Sequence, residues 1–153
     1  MRATLILLLC LGLLTVASAA EVVTGTVHKV LPLLLDLQGR TALSPSLFDR
    51  DAYQAKLRAE TNSISAIRYD VQWSADNAAG EKLKLRVELR GISLAKLPKL
   101  KTLETDVTPG RFSQWTSLTL GGEEFKGFGA VTAWRATLWA GDRQLGEQKS
   151  FLW

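Results

Sequence analysis

The heptapeptide Ile67-Arg68-Tyr69-Asp70-Val71-Gln72-Trp73 decides the fold class. Ile67, Tyr69, Val71 and Trp73 fall on one side of an extended chain, with Arg68, Asp70 and Gln72 on the other, because successive strand side chains point to opposite faces. A period of two marks a half-buried strand, apolar toward a core and polar toward water. Ser74 to Gly80 then supplies turn residues, after which Leu83, Leu85, Val87 and Leu89 alternate with Lys82, Lys84, Arg86 and Glu88. The two runs are expected to form an antiparallel hairpin with one wet face.

Working outward, Leu103 to Val107 and Phe112 to Leu120 read as further strands, separated by the turn at Pro109-Gly110. Glycines 121, 122, 127 and 129 bracket Glu123 to Phe128, and Trp134, Ala136 and Leu138 then share a face within Ala130 to Ala140. A tight turn at Ala140-Gly141-Asp142 sends the last strand, Gln144 to Leu152, back antiparallel. Toward the N-terminus, Val22 to His28 suits a strand, while Val30 to Leu37, broken by Pro32, suits either a strand or a buried loop. A helix is predicted from Leu47 to Glu60: Ser46 can cap it, Asp49 and Asp51 meet the positive end of its dipole, and Lys56 and Arg58 the negative end. Phe48, Ala52, Ala55 and Ala59 form its expected apolar stripe. Six or seven strands at roughly 8–12-residue spacing predict a mainly β chain, an antiparallel β-sandwich with one short helix near the mature N-terminus.

From Ile64 to Trp153 the chain resembles bacterial secreted immunoglobulin-like or fibronectin type III-like domains. The residues that carry the resemblance are Tyr69 to Trp73, Leu83 to Leu89, and the final hairpin from Ala133-Trp134-Arg135-Ala136-Thr137-Leu138-Trp139 to Phe151. It departs from antibody domains in lacking inter-sheet cysteines and a penultimate-strand tyrosine for a tyrosine corner. Such folds host many functions, so the resemblance implies an architecture and brings no activity.

With 153 residues, 46% of them hydrophobic and 22% charged, the chain can bury one core. Arg2, the apolar run Leu5 to Leu14 and the small residues Ala17 to Ala20 compose a secretory signal peptide over residues 1–20, its apolar run too short to span a bilayer. Cleavage is expected near Ala19 or Ala20. Residues 21–63 then form an N-terminal segment holding the strand and the helix at 46–60, and residues 64–153 the β domain. Leu9 before Cys10 does not suit lipoprotein processing, so the one cysteine leaves with the leader. The mature chain has neither a cysteine nor an Asn-x-Ser/Thr sequon, because Ile64 follows Asn62-Ser63 and Ala79 follows Asn77-Ala78. That pattern favours a bacterial periplasm or the cell exterior. No later segment is expected to span a membrane.

The sequence is poor in reactive groups. One His, one Cys and no glycine-rich phosphate loop leave little for a metal site, a thiol enzyme or a nucleotide enzyme. His28 could be set beside Ser44 or Ser46, but nothing resembles Gly-x-Ser-x-Gly. Glu123 and Glu124 adjoin, and Asp49 and Asp51 stand near a helix start. Turn solvation and dipole capping account for them better than paired-carboxylate hydrolysis, which needs facing side chains at a set separation. No catalytic residue, cofactor or metal is expected.

Binding has more to work with. The net charge is +4, yet between Glu81 and Lys101 seven basic residues stand against two acidic ones. Lys82, Lys84, Arg86 and Arg90 lie on the outward side of one strand, a stripe suited to an anionic surface or polysaccharide, such as lipopolysaccharide, or to an acidic protein. The plainer account is a solvated sheet face that discourages edge pairing. Nucleic acid is a poor partner for a secreted protein. Of the five tryptophans, Trp73 and Trp134 follow apolar faces and are expected in the core. Trp115, Trp139 and Trp153 are candidates for an aromatic binding surface. The sequence thus predicts a secreted or periplasmic, non-enzymatic binding domain. Its rivals are a carbohydrate-binding module, which needs an indole cluster on one surface, and a hydrolase, which needs a pocket joining His28 to acidic residues.

Overall fold

A computed structural model describes residues 21–153. The expected leader, Cys10 included, lies outside the described residues. In chain order the elements are β1 (Thr24–Asp36), α1 (Leu47–Ala59), a 3-10 turn (Thr61–Ser63), β2 (Ile64–Asp76), β3 (Leu83–Ile92), β4 (Pro98–Val107), β5 (Gln114–Gly121), α2 (Gly122–Phe128), β6 (Ala130–Ala140) and β7 (Arg143–Lys149). They form two antiparallel sheets, of order β1-β2-β5 and β4-β3-β6-β7.

The alternation behaves as its period demands, but its two best runs are not partners. Tyr69, Val71 and Trp73 of β2 and Leu83, Leu85, Val87 and Leu89 of β3 are all buried in a single cluster. They reach it from different sheets: β2 lies between β1 and β5, and β3 between β4 and β6. The expected β2–β3 hairpin is therefore corrected to a crossover. Residues 77–82, with Asn77 in the left-handed region at φ 55°, carry the chain from one sheet to the other. Alternation fixes which side of a strand is buried and says nothing about its hydrogen-bonded neighbour. Trp73 is 1% exposed, and its Nε1 donates to Thr116 Oγ1 at 2.9 Å, which satisfies the one polar atom that the indole takes inside.

The two N-terminal apolar runs merge into the single strand β1, whose register against β2 slips at His28. Pro32 sits within it without penalty because β1 is a sheet edge, where a missing N–H breaks no ladder. Near its start β1 approaches β7 of the other sheet so closely that a Cβ on Gly146 would stand 2.9 Å from the Val27 backbone nitrogen. Only glycine fits that seam.

Helix α1 has the expected cap, with Ser46 Oγ accepting from Asp49 N, and the expected Lys56 and Arg58 in its last turn. Its buried side differs from expectation. Phe48 is 82% exposed and Ala52, Ala55 and Ala59 face solvent, whereas Gln54 and Leu57 are buried. Gln54 accepts from Leu34 N at 2.8 Å and donates to Leu34 O and Thr41 O at 2.8 and 2.9 Å. The helix docks by completing the open edge of β1, so the docking side is set by the Gln54 amide together with the buried Leu57. A second helix, α2, occupies the glycine-bracketed stretch where none was expected. Its Phe128 packs over Gly91, where an added Cβ would lie 2.3 Å from the ring.

Candidate functional site

The register of β3 places the basic stripe. Leu83, Leu85, Val87 and Leu89 point inward, so Lys84, Arg86, Glu88 and Arg90 point out across the four-stranded sheet. Opposite them on β6 stand Trp139, Thr137, Arg135 and Ala133, and on β4 Asp106, Glu104, Thr102 and Leu100. The four expected cations are thereby made unequal. Glu104 takes both Lys84, at 3.2 Å, and Arg86, whose guanidinium is first among the contacts that hold the Glu104 carboxyl below its ordinary range. Arg135 pairs with Glu88 at 2.7 Å and lies 3.8 Å from Glu147, which also receives Lys149 at 3.5 Å. The middle of the face is a ladder of alternating charge. Lys82, exposed just before β3, and Arg90, exposed near its far end, make no ion pair among the described residues.

The aromatic candidates divide as well. Trp115 is 50% exposed, but it lies opposite Gln72 on the outer face of the three-stranded sheet. Trp139 and Trp153 belong to the basic face. The Arg86 guanidinium lies 5.0 Å from the Trp139 ring centroid, and Trp153 carries Arg90 at 4.1 Å and Arg135 at 5.0 Å. Attraction of a cation to a ring face is worth about 0.5–1 kcal/mol at exposed sites, which offsets part of the entropy of ordering a long arginine side chain. A stacked guanidinium keeps its planar fork of N–H donors aimed outward, the geometry that binds carboxylate, sulfate or phosphate in bidentate fashion. The stripe, Trp139 and Trp153, separate candidates in the sequence, form one interleaved surface, from which Trp115 stands apart. The register between β3 and β6 brings in Trp139, and the turn after β7 brings in Trp153; no strand's own alternation contains either placement.

A second place comes from the β1 irregularity. An open depression of about 460 Å³ is lined by residues including His28, Ser74, Asp76, Arg111 and Phe112. His28 Nε2 and Ser74 Oγ lie 2.7 Å apart. The two serines that the sequence allowed beside His28 are elsewhere: Ser44 donates to Asp49 Oδ2 at 2.6 Å and Ser46 caps α1. Ser74 enters because β1 pairs with β2, Thr26 opposite Ser74, across 46 positions of sequence. Among the described residues His28 Nδ1 has no hydrogen-bond partner to fix its tautomer, and no cluster of three or more His, Cys, Asp or Glu gathers as a metal site. No helix among them is long and apolar enough to cross a membrane.

Compared with known proteins, the chain matches no family model, no curated protein and no solved structure.

Proposed function

We propose that this chain is an exported, non-enzymatic binding domain with an immunoglobulin-like or fibronectin type III-like sandwich, engaging an anionic protein or polysaccharide through the outer face of β4-β3-β6-β7. Export rests on the leader-like residues 1–20, and the sandwich on two antiparallel sheets sharing one core. The observation that carries the binding assignment is Arg90, stacked on Trp153 with no acidic partner among the described residues. An anionic ligand suits this face better than a neutral sugar, because guanidinium groups already lie over the indole rings that a sugar would need. The test is retention on immobilised dextran sulfate. The wild type should elute at a salt concentration that the combined Lys82→Gln, Lys84→Gln, Arg86→Gln and Arg90→Gln variant cannot withstand, since exposed charges are screened over about 8 Å at physiological ionic strength. Equal retention of the two proteins would reject the face.

The contact between His28 and Ser74 favours a second reading, a hydrolase, in which imidazole would take the proton of the attacking hydroxyl. Turnover of a p-nitrophenyl ester by the wild type, lost in Ser74→Ala, would carry that reading. Turnover no faster than in buffer would end it.

A further inference from the structure

The hairpin joining β3 to β4 exposes apolar side chains that the fold itself does not require. Ile92 is 47% exposed, Leu94 93%, Leu97 59% and Leu100 79%, whereas Leu83, Leu85 and Leu89 of β3 are sealed in the core. The turn that holds them is ordered. Ser93 N donates to Leu97 O at 2.9 Å, Lys96 N to Ser93 O at 2.8 Å and Leu97 N to Ser93 Oγ at 3.2 Å, with Lys96 in the left-handed region at φ 58°. Leu94 is thus presented at the apex of a fixed loop. Phe151 and Leu152, both exposed, follow β7 at the same end of the sheet, because Ser150 pairs with Trp134 beside Leu89.

The charges that the hairpin itself carries are of one sign. Between Glu88 and Glu104 the sequence contains Arg90, Lys96, Lys99 and Lys101 and no acid, and among the described residues only Lys101 of these is drawn into an ion pair, with Glu124 of α2. Exposed apolar groups seldom cluster without a partner that covers them. A protein partner would need apolar surface framed by acids, whereas an anionic bilayer offers both features by construction: acyl chains beneath a plane of phosphates, reached by leucines while flanking lysines extend toward the headgroups. We infer that the Ile92–Leu100 tip inserts into the interface of a membrane rich in anionic phospholipid. The tip adjoins the sheet face at Arg90 and Leu100, which pair across β3 and β4, so the test acts on Leu94, Lys96, Leu97 and Lys99, none of which the sheet-face assignment uses.

The experiment is flotation of the chain with vesicles of phosphatidylcholine alone or mixed in equal parts with phosphatidylglycerol. It compares wild type, Leu94→Ser with Leu97→Ser, and Lys96→Gln with Lys99→Gln. Wild type should float with the anionic vesicles only. The serine variant should partition roughly tenfold or more weakly, because two leucine side chains no longer enter the acyl boundary. The glutamine variant should lose about fivefold for each lysine. All four positions are exposed, so melting should be unchanged and loss of binding is not loss of fold. A site-specific readout uses a Cys10→Ser background with an environment-sensitive fluorophore on Leu94→Cys or on Asp142→Cys, the latter in the β6–β7 turn at the opposite end of the sheet. The label at 94 should shift to the blue on anionic vesicles and the label at 142 should not. Absence of wild-type flotation, equal flotation of the variants, or equal shifts at the two labels would each overturn the proposal. So would a concentration-dependent dimer abolished by Leu94→Ser without vesicle binding, which would put a second copy of the chain on the tip.

Discussion

Asp36 is a buried carboxylate whose every need is met. At 3% exposure it accepts from the backbone nitrogens of Gln38 and Arg40, both at 2.8 Å, from Arg40 Nε at 2.8 Å and from the Tyr53 hydroxyl at 2.7 Å. Burial alone would raise its pKa, but these donors together outweigh it and hold the carboxyl well below the usual range. The consequence for stability has a definite sign. A depressed carboxyl stabilises fully above its unfolded pKa, about 3.9, and loses that contribution as the pH falls through the folded value. Asp36→Asn should therefore cost about 1.5–3 kcal/mol in urea unfolding at pH 7, the worth of hydrogen bonds to a charged group, and less as the pH drops below about 4. An equal loss at pH 7 and pH 2.5 would contradict this. Little of the network is legible in the sequence, since Asp36 and Tyr53 stand 17 positions apart and meet only when α1 lies along β1. His28 and Ser74 are hidden for the same reason.

Among elements, burial is legible wherever a strong period runs. Tyr69 to Trp73, Leu83 to Leu89 and the β6–β7 hairpin carry their pattern locally, and the Ser46 cap is likewise a local signal. Pairing is not legible, because β2 and β3 each have inward leucine, valine or aromatic side chains that any facing strand could meet. α2 escapes a sequence reading because seven residues among glycines give too short a window for a helical period. α1 is legible as a helix but not in its orientation, because it docks through Gln54, a polar residue that a hydrophobic stripe ignores, and through Leu57, which lies off the expected stripe. Gln54→Ala should leave α1 helical and strip the Leu34 N–H and C=O of their partners. The expected cost is about 1–3 kcal/mol, with faster hydrogen exchange at the Leu34 amide. Unchanged protection at Leu34 would show that the helix does not seal that edge.

At the scale of the whole molecule, charge and aromatic surface are organised by the four-stranded sheet. The cations that form a simple stripe in sequence are sorted by their cross-strand neighbours: Glu104 engages both Lys84 and Arg86, while Arg90 is raised on Trp153. Glu104 therefore acts as an internal competitor for any anionic ligand on this face. Its removal should free two cations in place, with no effect on the core beneath them. The most direct measurement is the salt concentration that elutes Glu104→Gln from immobilised dextran sulfate, beside wild type and Glu60→Gln. The latter removes one negative charge at the exposed end of α1, which packs along β1 of the other sheet. Later elution of Glu104→Gln than of both others is the expected result. Elution of Glu104→Gln together with Glu60→Gln, or ahead of wild type, would reduce the face to bulk charge and contradict the assignment of binding to it.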